Sequence, residues 1–111
     1  MRIYKILRAG EWADLQTSGE TDGAPVDIAD GFVHFSTADQ VRETALRHFR
    51  GETDLVLLAL DADALGPDLK WEPSRGGQMF PHLYGKLRLA DVIWHAPLPF
   101  EGETHAFPGG L

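Results

Sequence analysis

Residues 30–40 read DGFVHFSTADQ, and the fold turns on how this stretch divides. Asp30-Gly31 is a turn signal. Phe32 to Ser36 follows as an aromatic-rich run that predicts a strand. Thr37 stands three residues before Gln40, the spacing of a capping box, in which each side chain satisfies an orphan N–H of the other's backbone. A helix is expected from there, with Val41, Ala45, Leu46 and Phe49 on its apolar face and Gly51 as its stop. Elsewhere strands outnumber helices and do not alternate strictly with them. That pattern argues for an α+β fold rather than a doubly wound parallel sheet.

Working outward, residues 2–8 (RIYKILR) predict a first strand ended by Gly10, and Glu11 to Ser18 a short helix closed by Gly19. The segment GETDGAPVDIADG, 19–31, is rich in Gly, Asp and Pro and reads as a loop of a length often used for binding. Asp54 to Leu60 (DLVLLAL) is almost continuously apolar, as in a strand buried on both faces. Asp61 to Leu65 predicts a helical turn, and Leu69 to Glu72 a strand cut off by Pro73. SRGGQMFPHLYG, 74–85, reads as a second loop, and Lys86–Leu89 and Val92–His95 as strands. From Pro97 onward Pro and Gly dominate, so 97–111 is expected to be a partly disordered extension of one domain spanning 1–111.

The chain holds 17 acidic and 10 basic residues, for a net charge of -7. Such a surface repels a nucleic-acid duplex, though a local arginine can still hold one nucleotide. With no cysteine, disulfides and thiolate metal sites are excluded. No signal peptide is legible, and the longest apolar run is far too short to span a bilayer. A cytoplasmic protein without membrane contacts is the expectation. Neither GxGxxG nor GxxxxGK[ST] occurs.

Candidate site residues fall in two places. On a strand, Phe32, His34 and Ser36 share one face while Val33 and Phe35 share the other. The Val33 face suits a core, so His34 is expected in a half-covered cleft beside the helix start at Ser36-Thr37. A helix start can receive an anion, and the same hydroxyls also serve as ordinary caps. The second concentration, 71–85, gathers Glu72, Arg75, His82 and Tyr84. Arg75 before two glycines offers a guanidinium to a phosphate, and Tyr84 a ring for stacking. Glu72 is placed either to act on a ligand or to pair with Arg75. The five histidines show neither HxH nor HExxH spacing, so no metal is expected.

DGFVHFST, DLVLLALD, WEPSRGG and FPHLYG together resemble a bacterial family catalogued as domain of unknown function 952. The resemblance implies an ADP-ribosyltransferase-like fold: two small, mainly antiparallel sheets around a cleft, with two or three short helices. It further implies NAD, as ligand or substrate, with transfer at the nicotinamide ribose. In that superfamily a histidine on an early strand contacts a ribose hydroxyl, a tyrosine stacks on nicotinamide, and a glutamate stabilises the oxocarbenium. His34 with Ser36 and Thr37 matches the first and Tyr84 the second. Glu72 is the candidate for the third, although it precedes Tyr84 where the superfamily places its glutamate later. His34 and Glu72 are thus the catalytic candidates, and His34, Ser36, Thr37, Arg75, His82 and Tyr84 the ligand-binding ones. A ligand sensor without catalysis and a protein-interaction module of the same fold are the alternatives.

Overall fold

The strand with the strongest hydrophobic signal organises the molecule. In the computed structural model, which describes residues 1–109 and 111, β5 (Leu55–Asp61) lies between β1 (Arg2–Leu7) and β9 (Val92–Leu98). Ile3 pairs with Leu60, and Leu57 with Ala96. The edge strand β4 (Ser36–Thr37) completes a sheet of order β4-β1-β5-β9. Both faces of β5 are buried, as the unbroken apolar run requires. On one face Ile3, Leu7, Leu58 and Leu60 pack with Leu15, Val33, Phe35, Leu83 and Leu87. On the other, Tyr4, Ile6, Leu57 and Ala59 pack with Val41, Ala45 and Leu98.

The second core belongs to α3 (Ala38–His48), whose Val41 and Ala45 are buried as the periodicity predicts. The first is roofed by α1 (Ala9–Ser18) and by a three-stranded sheet of order β3-β7-β6: β3 (Val33–His34), β7 (Met79–Leu83) and β6 (Leu69–Pro73). Val33, Leu83 and Leu69 stand side by side in this sheet and face the core. Alternation turns His34, His82, Lys70, Glu72 and Phe80 to the opposite face. Two ribbons complete the chain: β2 (Glu20–Thr21) with β8 (Leu87–Arg88), and β10 (Phe100–Glu101) with β11 (Thr104–His105). Every strand pairing among the described residues is antiparallel. The domain is α+β, with three α-helices among the described residues.

Four expectations need correction. Gly10 lies inside α1 rather than ending β1, because Glu11 Oε1 accepts from Arg8 N at 2.8 Å and starts the helix earlier. The segment 19–31 is not a loop. It holds β2 and a short helix, α2 (Pro25–Asp30), opened by Pro25 in the first turn and closed by Gly31 at φ 86°. Phe32 to Ser36 is not one strand. The chain leaves the three-stranded sheet after His34, Phe35 N donates to the Pro81 carbonyl at 3.0 Å, and β4 then joins β1. Within 74–85, finally, residues 79–83 form the central strand β7, although Pro81 sits in it. The proline offers no N–H, and its carbonyl serves the break at Phe35.

The extension supplies the β10–β11 hairpin, and His105 is buried, with Nε2 2.9 Å from the Glu52 carbonyl. Gly110, part of the FPGGL tail, lies outside the described residues.

Candidate functional site

The site is built from a charge buried beneath a layer of rings. Lys5 lies between Ile3 and Leu7 on the core face of β1, an apolar setting in which an ammonium requires a partner. The partner is Asp27 of α2, fully buried, with Oδ2 2.8 Å from Lys5 Nζ. Oδ2 also accepts from Ala24 N at 2.7 Å, while Oδ1 meets His34 N at 3.0 Å and His34 Nδ1 at 2.6 Å. Burial pushes the Asp27 carboxyl up, but the hydrogen bonds from His34 and the Lys5 charge outweigh it and hold the group down at about 2. Burial also pulls the Lys5 ammonium below its ordinary value, against the pull of Asp27. Gly23 is obligatory here: its φ is 104°, and a Cβ would stand 2.4 Å from Asp27 Oδ2.

Above this pair lies the ring cluster. Phe32 stacks on His82 with centroids 4.2 Å apart and planes at 23°. It also meets His34 at 4.5 Å and Tyr84 at 5.2 Å, and the two imidazoles stand 5.4 Å apart. Thus His34 and Tyr84, distant in sequence, open on the same face. Tyr84 is 40% exposed and the His34 side chain 32%. His82 is buried by the Phe32 stack, with Nδ1 anchored and Nε2 unbonded but not sealed from solvent.

Glu72 joins the cluster from β6. Its Oε1 accepts from Tyr84 Oη at 2.7 Å and lies 2.9 Å from His82 Nδ1. The Tyr84 hydroxyl, and then His82, hold the Glu72 carboxyl below the usual carboxylate range. The same bond raises the Tyr84 phenol. Both of these bonds fall on Oε1. The alternative of a Glu72–Arg75 pair is not realised. Arg75 instead caps the Phe80 ring at 4.9 Å and binds Glu43 Oε2 at 3.2 Å and Thr44 Oγ1 at 3.4 Å.

Ser36 and Thr37 stand apart from the rings. Ser36 is buried in β4, and its hydroxyl bonds Thr44 at 2.8 Å, linking it to Arg75 through that residue. The Thr37 amide donates to Gln40 Oε1 at 3.0 Å, as the capping spacing predicts, so it is not free for an anion. Gln40 Nε2 donates in turn to the Met79 carbonyl at 2.9 Å, tying the start of α3 to β7. The structure therefore gathers His34, Glu72, His82 and Tyr84 in one cluster, sets Arg75 at its border on Phe80, and turns Ser36 and Thr37 toward α3.

A cavity of about 260 Å³ adjoins Phe32, lined also by Ile28, Gly31, Gly85 and Lys86. A larger one, about 310 Å³, lies between α3 and the C-terminal hairpin and shares none of the ring residues. Among the described residues no group of three His, Cys, Asp or Glu side chains could hold a metal. No helix among them is long and apolar enough to cross a membrane.

Sequence reasoning missed Asp27, Lys5 and Asp30, whose Oδ2 stands 3.0 Å from His34 Nε2. A signal existed for the first two. A lysine between core residues demands a counter-ion, and Asp27 follows Ala24-Pro25 at the spacing of a helix-start acid.

The model of a protein family described as protein of unknown function (DUF952) matches residues 6–95. The chain belongs to this family. The crystal structure of protein CC0527 from Caulobacter crescentus is similar over 96% of this chain and 94% of its own, with 47% identity and a TM-score of 0.93. The solution structure of the same protein covers 94% and 90%, with 48% identity and a TM-score of 0.84. No curated protein matches the chain.

Proposed function

We propose that the outward face of the three-stranded sheet binds a nucleotide of the NAD type, in an ADP-ribosyltransferase-like cleft, with transfer at the nicotinamide ribose carbon. The observation that carries this reading is the convergence of His34, His82 and Tyr84 around Phe32, with an ionised glutamate in hydrogen-bond contact with two of them. Aromatic faces half open to solvent suit a planar base. Tyr84 takes the ring, His34 the ribose, and Arg75, held over Phe80, the pyrophosphate. Glu72 stays ionised because Tyr84 and His82 donate to it, which is the state needed to oppose positive charge at the ribose carbon.

One observation favours a second reading, binding without chemistry. Glu72 already engages both of its donors through Oε1, as a group that merely organises the site would. A thermal-shift series with NAD, ADP-ribose and nicotinamide tests the binding, repeated on His34→Ala. Ligand at about a hundred times its dissociation constant adds roughly 2–3 kcal/mol of stability. That shift is expected in the parent and lost in the variant. Nicotinamide release from NAD, absent in Glu72→Gln, identifies transfer; binding unchanged in Glu72→Gln without any release identifies a sensor. No shift with any nucleotide removes the proposal.

A further inference from the structure

Asp27 is hard to explain by stability. Burying a carboxylate and an ammonium together costs desolvation that their attraction often fails to repay, and apolar residues of like size commonly do as well. Here the burial lowers Lys5 in spite of Asp27. The pair is also elaborately built: Asp27 makes four contacts, two with the same histidine, one to its backbone and one to its ring. Of the side chains bonded to Asp27, His34 is the one partly open to solvent. Fixing both the amide and Nδ1 leaves the imidazole little freedom to turn. Its second nitrogen, Nε2, then points away from the core toward Asp30 Oδ2 at 3.0 Å. Asp30 closes the last turn of α2, and its side chain is 47% exposed, so it is free to swing into solvent. Nδ1 is thus engaged by the buried carboxylate, and Nε2 is the nitrogen left to the solvent side.

We propose that Asp27 is the positioning residue of His34, holding the ring with Nδ1–H inward and Nε2 outward, and that Asp30 is a stand-in for a hydroxyl oxygen of the ligand. A ribose hydroxyl of the bound nucleotide takes the place of the Asp30 carboxylate on Nε2, since a hydroxyl pairs with that nitrogen whether or not it carries a proton. This rests on the nucleotide reading above for the identity of the ligand; the placement of the ring does not. A hydrogen bond to a charged group sets ring orientation and tautomer in the way a carboxylate orients a metal-binding or catalytic histidine. Asp30, four residues before His34, occupies the place a ligand oxygen would take and adds a negative charge that opposes the approach of the nucleotide's phosphates.

Two measurements test this on the full chain. The first is the ring ¹⁵N spectrum of His34 in alkaline buffer, where the imidazole is neutral. The Nδ1–H tautomer is expected to dominate, and to give way to Nε2–H in Asp27→Asn. A parent ring mainly in the Nε2–H form overturns the positioning role; this arm needs neither a ligand nor a stable variant. The second is titration calorimetry with ADP-ribose. Asp30→Asn is expected to bind about threefold more tightly than the parent, as loss of an exposed competing charge allows. Asp27→Asn is expected to bind about tenfold more weakly, as loss of a charge-assisted hydrogen bond allows. Lys5→Met, which disturbs the buried pair from the other side, is expected to lose stability while keeping the Nδ1–H tautomer. Equal affinity in Asp30→Asn and parent overturns the stand-in. A parent that does not bind ADP-ribose overturns the stand-in together with the nucleotide reading, and the tautomer still decides Asp27.

Discussion

The two larger sheets solve opposite problems. In β4-β1-β5-β9 the central strands are covered on both faces, and Leu57, Leu58, Ala59 and Leu60 have no exposed surface. In β3-β7-β6 one face is core, but the other carries two imidazoles, a phenol, a carboxylate and an ammonium. The first sheet consists of groups that do best away from water. The second keeps polar and titratable groups at the surface, within reach of water. Asp27 and Lys5 lie between, a charged pair inside the apolar layer that ends at an imidazole on the open face. The contrast teaches where to look for each property: stability concentrates in β1 and β5, and the proposed recognition in β3, β6 and β7.

The largest expected effect breaks the covered sheet. Leu58 is fully buried in the first core, and Leu58→Ala leaves a cavity that neighbours fill only in part. It should cost about 2–5 kcal/mol in urea denaturation. A loss below about 1 kcal/mol would show that the layer between the sheets is loosely packed.

The next effect belongs to the buried pair. The folded-state pKa of Asp27 lies near 2, below the unfolded value of about 4. A depressed carboxylate contributes stability that is fully present above the unfolded pKa and is lost as pH falls through the folded one. Roughly 2–3 kcal/mol should therefore disappear between about pH 4 and pH 2. Asp27→Asn should flatten that part of the stability curve. Third, Gly23→Ala combines a φ of 104° with a Cβ driven into Asp27. About 1–3 kcal/mol of destabilisation is expected, with a disturbed His34 ring spectrum as the sign that Asp27 has moved.

The covered sheet was easier to read from sequence than the open one, for a physical reason. DLVLLAL has no polar interruption, and its burial follows from apolarity alone. The helix after Thr37 was equally legible, because Gln40 does what the capping spacing demands. Residues 79–83 were not. A proline in a central strand contradicts the rule that every central residue donates to the ladder, and only the Phe35 amide, which uses the Pro81 carbonyl, explains why the strand survives. The split of Phe32 to Ser36 between two sheets is invisible to a period-two pattern, which cannot say which partner a strand takes. His34 and Tyr84, which fall in separate candidate segments of the sequence, meet on one face around Phe32. Asp27 escaped because a short helix opened by Ala24-Pro25 looks like loop composition.

The smallest effect is the most local, and it sharpens the open side of the comparison. Tyr84 donates to Glu72, and that bond raises the phenol above its ordinary value of about 10. Glu72→Gln removes the charge that holds the proton. The Tyr84 phenol should then ionise at lower pH, visible as an earlier rise in tyrosinate absorbance. Both partners lie at the surface, so the melting temperature should stay close to the parent's. A covered sheet responds to substitution with lost stability; an open face should respond with altered titration at unchanged stability. If Glu72→Gln instead unfolds the protein and leaves the phenol titration where it was, the Glu72 side of β6 is structural, and the division between the two sheets fails at the residue on which the proposed transfer chemistry depends.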